Sequence, residues 1–110
     1  MAEEQFGSDA VDAFNGKTIS YVYENEWAFT NVFDGATRIT KVEGRGTLHE
    51  QVEIRIVAPD TYFIAWIDEE MGAITQLVDL AARTLLASVP VDGKLEVWKG
   101  TITAFGDANV

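Results

Sequence analysis

The chain contains no cysteine and a single histidine, His49. Disulfides, thiol nucleophiles and zinc centres built on cysteine or paired histidine are thereby excluded. A carboxylate cage for a hard cation would need regularly spaced oxygen ligands, and no stretch has the spacing of a calcium loop. No metal is therefore expected. Basic residues are scarce, eight against eighteen acids, for a formal charge of −10. Such a surface repels phosphate backbones, so no nucleic-acid partner is expected. Long apolar runs are missing too: none approaches the ~20 residues of a membrane-spanning helix. The opening residues, MAEEQFGSDAVD, have neither the basic nor the apolar region of an export signal. These absences lead to the expectation of a cytoplasmic protein without a membrane partner, its excess acid serving solubility.

What is present suits one domain over residues 1–110. The composition, 47% apolar and 24% charged, is that of a chain with one core. Residues 1–7 read as a disordered acidic start. Ser8–Phe14 reads as one or two helical turns, with Ser8 or Asp9 as N-cap and Gly16 as the stop.

Beyond Gly16 the apolar period is two almost throughout. TISYVYE places Ile19, Tyr21 and Tyr23 on one face, and WAFTNVFD does the same for Trp27, Phe29 and Phe33. In TLHEQVEIRIV, Leu48, Val52, Ile54 and Ile56 share a parity. Asp34-Gly35 and Asp92-Gly93 are two-residue hairpin signals. EGRG, APDT, EEMG and AAR mark further turns between TYFIAWID, AITQLVDL, TLLASVP and KLEVWKGTITAF. About eight strands of roughly six to ten residues with frequent turns describe an all-β sandwich or a small antiparallel up-and-down barrel. The barrel is preferred, because consecutive hairpins order the strands simply and closure removes exposed edges. Several strands carry polar residues on both faces (Thr30, Asn31, Gln51, Arg55 and Gln76), so one face is expected to line a partly polar lumen. A barrel of about eight strands holds side chains or one small ligand. His49 reads as a surface residue. Glu53 and Arg55 read either as lumen groups or as an exposed ion pair.

Tyr21 and Tyr23 are two same-face phenols, which by themselves are core aromatics needing one hydrogen-bond partner each. A more specific reading comes from their surroundings. FNGKTISYVYENEW (Phe14–Trp27), the GRG around Arg45, Val52 with Ile54, and YFIAWID (Tyr62–Asp68) together resemble the phenolic acid decarboxylases, in register and without insertion. The second half, from GAITQLVDL to VWKGTITAF, resembles the small MoaF-related proteins. Both families have the lipocalin-like, calycin-type barrel. The decarboxylase resemblance implies a site in which Tyr21, Tyr23 and Arg45 hold a substrate carboxylate and Asp68 takes the place of a glutamate. Trp27, Tyr62, Ile64 and Trp66, on the same segments, are then candidates to line the ligand, although packing is a competing role for the tryptophans. That family releases CO₂ from hydroxycinnamic acids without a cofactor. Two departures bear on the chemistry. Glu26 replaces the glycine of an Asn-Gly turn, a position that disfavours a side chain, and Asp68 is one methylene shorter than glutamate.

Two functions follow from these residues. One is a cofactor-free lyase acting on a small aromatic or conjugated carboxylic acid such as a hydroxycinnamate. The other is a non-catalytic barrel of the MoaF-related kind that holds a small molecule in its interior. An assembly role through a homodimer is a third.

Overall fold

The computed structural model describes residues 6–42 and 44–108. One four-residue helical turn, α1 (Val11–Phe14), precedes eight antiparallel strands. These are β1 (Lys17–Tyr23), β2 (Ala28–Asp34), β3 (Thr37–Val42), β4 (Gly46–Ala58), β5 (Thr61–Asp68), β6 (Gly72–Asp79), β7 (Thr84–Val91) and β8 (Lys94–Asp107). Each strand pairs with its neighbour in sequence, and β8 returns to β1, closing the barrel. The expected up-and-down topology is the one the chain adopts. No helix among the described residues is long and apolar enough to cross a membrane. Of the expected disordered start, residues 1–5 lie outside the described residues, as does Glu43 of the EGRG turn. Gly7 is held in place, its N–H donating to the Ile56 carbonyl at 2.7 Å.

Two strands exceed the expected length. β4 has 13 residues and β8 has 14. Each serves two neighbours in turn. β4 pairs with β3 through residues 46–51 and with β5 through residues 52–58. β8 pairs with β7 through residues 94–101 and with β1 through residues 100–107. The barrel therefore has two corners and two broad faces, in keeping with its extents of 43 × 35 × 23 Å. A bulge between Ser20 and Tyr21 shifts the β1–β8 register at one corner, as bulges do where a sheet must bend.

The helical turn closes one end. Its N-cap position falls on Ala10, whose side chain cannot accept a hydrogen bond, rather than on Ser8 or Asp9. Asp9, one residue earlier, supplies the acceptor by taking the Val11 N–H at 2.9 Å. Gly16, with φ 75°, turns the chain into β1. The turn drives Phe14 into the barrel, where it is fully buried against Phe33, Tyr62 and Phe105 at ring separations of 5.2, 5.2 and 5.6 Å. This aromatic plug makes the lower half of the barrel solid. The upper half is open.

Candidate functional site

The alternation that builds the strands also sorts their polar residues. Asn31 and Gln76 point inward and are buried, whereas Thr30, Gln51 and Arg55 face outward. Glu53 and Arg55 form an exposed ion pair at 2.9 Å. Inward parity on β3 and β4 also brings Arg38 and Glu50 inside, each only 7% exposed at the side chain, as a hydrogen-bonded ion pair. The Arg38 guanidinium lies 4.0 Å over the Trp66 ring. Such a desolvated cation–π contact contributes about 2 kcal/mol.

A polar layer spreads from this pair across the middle of the barrel. Arg38 donates to the Tyr21 hydroxyl at 3.4 Å, Tyr21 donates to Asn31 Oδ1 at 2.8 Å, and Asn31 Nδ2 donates to Thr40 Oγ1 at 2.7 Å. A guanidinium can only donate, so the Tyr21 oxygen accepts from it and its proton is committed to Asn31. Tyr23 differs. Its oxygen accepts from Gln76 Nε2 at 3.0 Å, and its own proton is shared with the neighbouring Tyr21 hydroxyl. Burial, reinforced by the neighbouring Tyr21, pushes the Tyr23 phenol far above its ordinary value. Tyr23 is therefore a neutral donor and not a base. Its ring fits because Gly100 lies opposite: a Cβ there would come within 3.1 Å of Tyr23 Cδ1.

Above this layer lies a cavity of about 280 Å³. Phe29, Trp27 and Trp98 join the two tyrosines in a mostly edge-to-face aromatic wall, with ring separations of 5.3 to 6.3 Å. Trp66, Ile74 and Val89 complete the far side, and Arg45, Asp68, Glu70 and Met71 rim the opening. Two lining residues also keep a buried nitrogen, Arg38 Nε and Trp66 Nε1, without a hydrogen-bond partner among the described residues. Both are donors, and an unsatisfied buried donor costs about 1–3 kcal/mol.

The four residues of the expected site all line this cavity, as do Trp27 and Trp66. They form two groups. Tyr21 and Tyr23 bond to Asn31, Arg38 and Gln76 in the depth of the barrel, so the arginine that meets the tyrosines is Arg38. Arg45 bonds to Asp68 at 3.2 and 3.3 Å and to Glu70 at 3.2 Å at the rim. Tyr62 and Ile64 do not reach the cavity. They lie lower on β5, where Tyr62 packs on Phe14 and Ile64 is 1% exposed in the core. Trp27 is 54% exposed at the opening, and Glu26 before it adopts φ 75°. The turn after Asn25 thus keeps the left-handed geometry of an Asn-Gly turn despite the side chain.

Asp68 is a loop anchor as well as a rim acid. One oxygen accepts the N–H groups of Glu70 and Met71 at 2.8 and 2.9 Å. Burial alone would raise its pKa, but the hydrogen bonds from Met71, Arg45 and Glu70 outweigh it and hold the carboxyl below its ordinary 3.8. It is ionised at neutral pH and has no proton to give. Because the unfolded chain takes up this proton first, the contribution of Asp68 to stability is complete above about pH 4 and is lost as pH falls below that. Urea unfolding of wild type and Asp68→Asn should show a stability gap near pH 6 that closes toward pH 3. A gap independent of pH would contradict this assignment.

A family model for the MoaF N-terminal domain matches residues 3–91. The chain belongs to the MoaF N-terminal domain family. The likeness to MoaF-related proteins expected from the second half is thus met, and the match covers the first half too. No curated protein matches the chain significantly. Among solved structures, a Burkholderia vietnamiensis protein described only provisionally as a β-lactamase has 24% identity and a TM-score of 0.73, covering 83% of this chain and 94% of its own. That likeness establishes the barrel and nothing about chemistry.

Within this MoaF-family barrel, sequence reasoning missed Arg38, Glu50 and Trp98 as parts of the site. A signal for Glu50 was present: it shares the parity of Leu48, Val52 and Ile54, and a carboxylate on a buried face demands a cation. Arg38 is the inward-facing base of the adjacent strand.

Proposed function

We propose that the barrel is a receptor for one small, flat, aromatic or conjugated molecule carrying a hydrogen-bond acceptor, which it holds without converting. The observation that carries this reading is an aromatic-walled cavity two of whose lining residues, Arg38 and Trp66, keep a buried donor nitrogen without a partner among the described residues. A carbonyl oxygen suits donors of this kind. The volume, about 280 Å³, falls at the small end of ligand pockets.

Charge around the cavity favours an uncharged acceptor over a carboxylate. Arg38 is matched by Glu50, and Arg45 by both Asp68 and Glu70, so among the described lining residues no cation is left over for an anion. The lyase reading fits less well. Asp68 is held ionised, the Tyr21 proton is committed to Asn31, and Arg45 is engaged at the rim. A hydroxycinnamate lyase would need one of these groups released.

Thermal-shift titration with cinnamamide, methyl cinnamate and cinnamate, beside absorbance assays with p-coumaric, ferulic and caffeic acids, tests both readings. The neutral compounds should raise the melting temperature by selective binding to the folded state. They should bind about tenfold more tightly than cinnamate, a difference of ~1.4 kcal/mol, with no loss of cinnamate absorbance. Turnover above a Tyr21→Phe/Tyr23→Phe control would establish the lyase instead. Absence of any stabilisation across the panel would remove the receptor reading for this class.

A further inference from the structure

The outer surface of one broad face is almost free of charge. Outward side chains on β5 are Thr61, Phe63, Ala65 and Ile67, and those on β6 are Ala73, Thr75, Leu77 and Asp79. On β7 they are Thr84, Leu86, Ser88 and Pro90, and on the first half of β8 Leu95, Val97, Lys99 and Thr101. Cross-strand register sets Phe63, Leu77 and Leu86 side by side in one row. All three are large, apolar and 39–45% exposed, with Ile67, Leu95 and Val97 near 70% farther along. In a chain with eighteen acids and a charge of −10, this face carries one acid, Asp79, and one base, Lys99.

Those two charges are placed symmetrically about β7. Asp79 on β6 pairs with Thr84, and Lys99 on β8 pairs with Leu86. Asp79 therefore lies on one side of β7 and Lys99 on the other, one outward step apart along the strands. A shallow depression of about 390 Å³ between them is lined by Leu77, Asp79, Leu86 and Lys99. One Asp79 oxygen caps the following turn through the Ala82 N–H at 2.9 Å, which leaves the other for a partner.

We infer that the β5–β8 face binds a second copy of this chain about a two-fold axis running along β7. That axis brings Asp79 of each copy onto β8 of the other, one outward step from Lys99 and within reach of its long side chain, and Leu86 meets Leu86 at the depression. A self-complementary patch of this kind is what an isologous dimer requires. Elsewhere the surplus acid makes two copies repel, so this is the face through which they approach without penalty. Four strands by eight residues offer about 500 Å² of sheet, below the roughly 800 Å² per partner of a standard interface. The dimer is accordingly weak, with micromolar dissociation.

Sedimentation equilibrium from about 1 to about 500 µM should show monomer giving way to dimer in the micromolar range. Leu86→Glu, and independently Val97→Glu, should keep the native far-UV circular dichroism and remain monomeric. Asp79→Lys should weaken association about tenfold through like charges, and adding Lys99→Asp should restore it. A wild type that stays monomeric throughout, or Leu86→Glu and Val97→Glu variants that dimerise like wild type, would overturn the inference. Asp79→Lys without effect would overturn the two-fold axis along β7.

Discussion

Arg38→Ala is expected to destabilise the barrel by about 3–5 kcal/mol, because it leaves the Glu50 carboxylate buried without its partner. Glu50 is 8% exposed on the inner face of β4, and its side-chain partner among the described residues is Arg38. The same guanidinium covers Trp66 and supports the Tyr21 hydroxyl, so its loss also loosens the polar layer beneath the cavity. Removing both charges should be far milder. Arg38→Met with Glu50→Leu fills similar volume and leaves no buried ion, a change that in other proteins is close to neutral or stabilising. Urea unfolding followed by far-UV circular dichroism would compare the three proteins. A loss below about 1 kcal/mol for Arg38→Ala, within the range of exposed ion pairs, would mean that water reaches Glu50.

Phe14→Ala is expected to cost about 3–5 kcal/mol as well, by a different mechanism. Its ring is wholly buried and touches three other aromatic rings from β2, β5 and β8. The four-residue turn that carries it has little helical stability of its own, since a helix this short is unfavourable in isolation. The ring therefore holds the turn to the barrel. Its removal leaves a cavity at the plugged end, remote from the open one. Stability measured by the same unfolding assay should fall, while ligand affinity below the transition should stay at the wild-type level. A loss under about 1 kcal/mol would show that the end of the barrel collapses to refill the space.

The barrel was legible because its signals are local. Alternation identified the inward residues of β1, β2 and β4, and Asp-Gly pairs marked two of the hairpins. Strand length was not legible, because the double service of β4 and β8 depends on where the sheet turns a corner. That depends on registers such as the shift at Ser20–Tyr21. The site was legible as a set of residues lining one cavity, though not as a set of bonds. Period two tells which side of a strand Tyr62 and Ile64 occupy, but it does not tell their depth in the barrel. Both sit inward, yet below the cavity floor. The pairing of Tyr21 with Arg38 rather than Arg45 is likewise a matter of height along the barrel axis, which follows from strand tilt and not from spacing in the chain.

The most direct test of the receptor reading watches the Trp66 indole N–H itself. The chain has three tryptophans, so a ¹⁵N-labelled sample gives three indole cross-peaks, and Trp66→Phe assigns the relevant one. Titration with cinnamamide should shift the Trp66 peak downfield in a saturable way as the donor gains an acceptor, with Trp27 and Trp98 moving less. If the ligand binds and the Trp66 resonance stays in place, the unpartnered donors do not select the ligand and the account of the cavity is wrong.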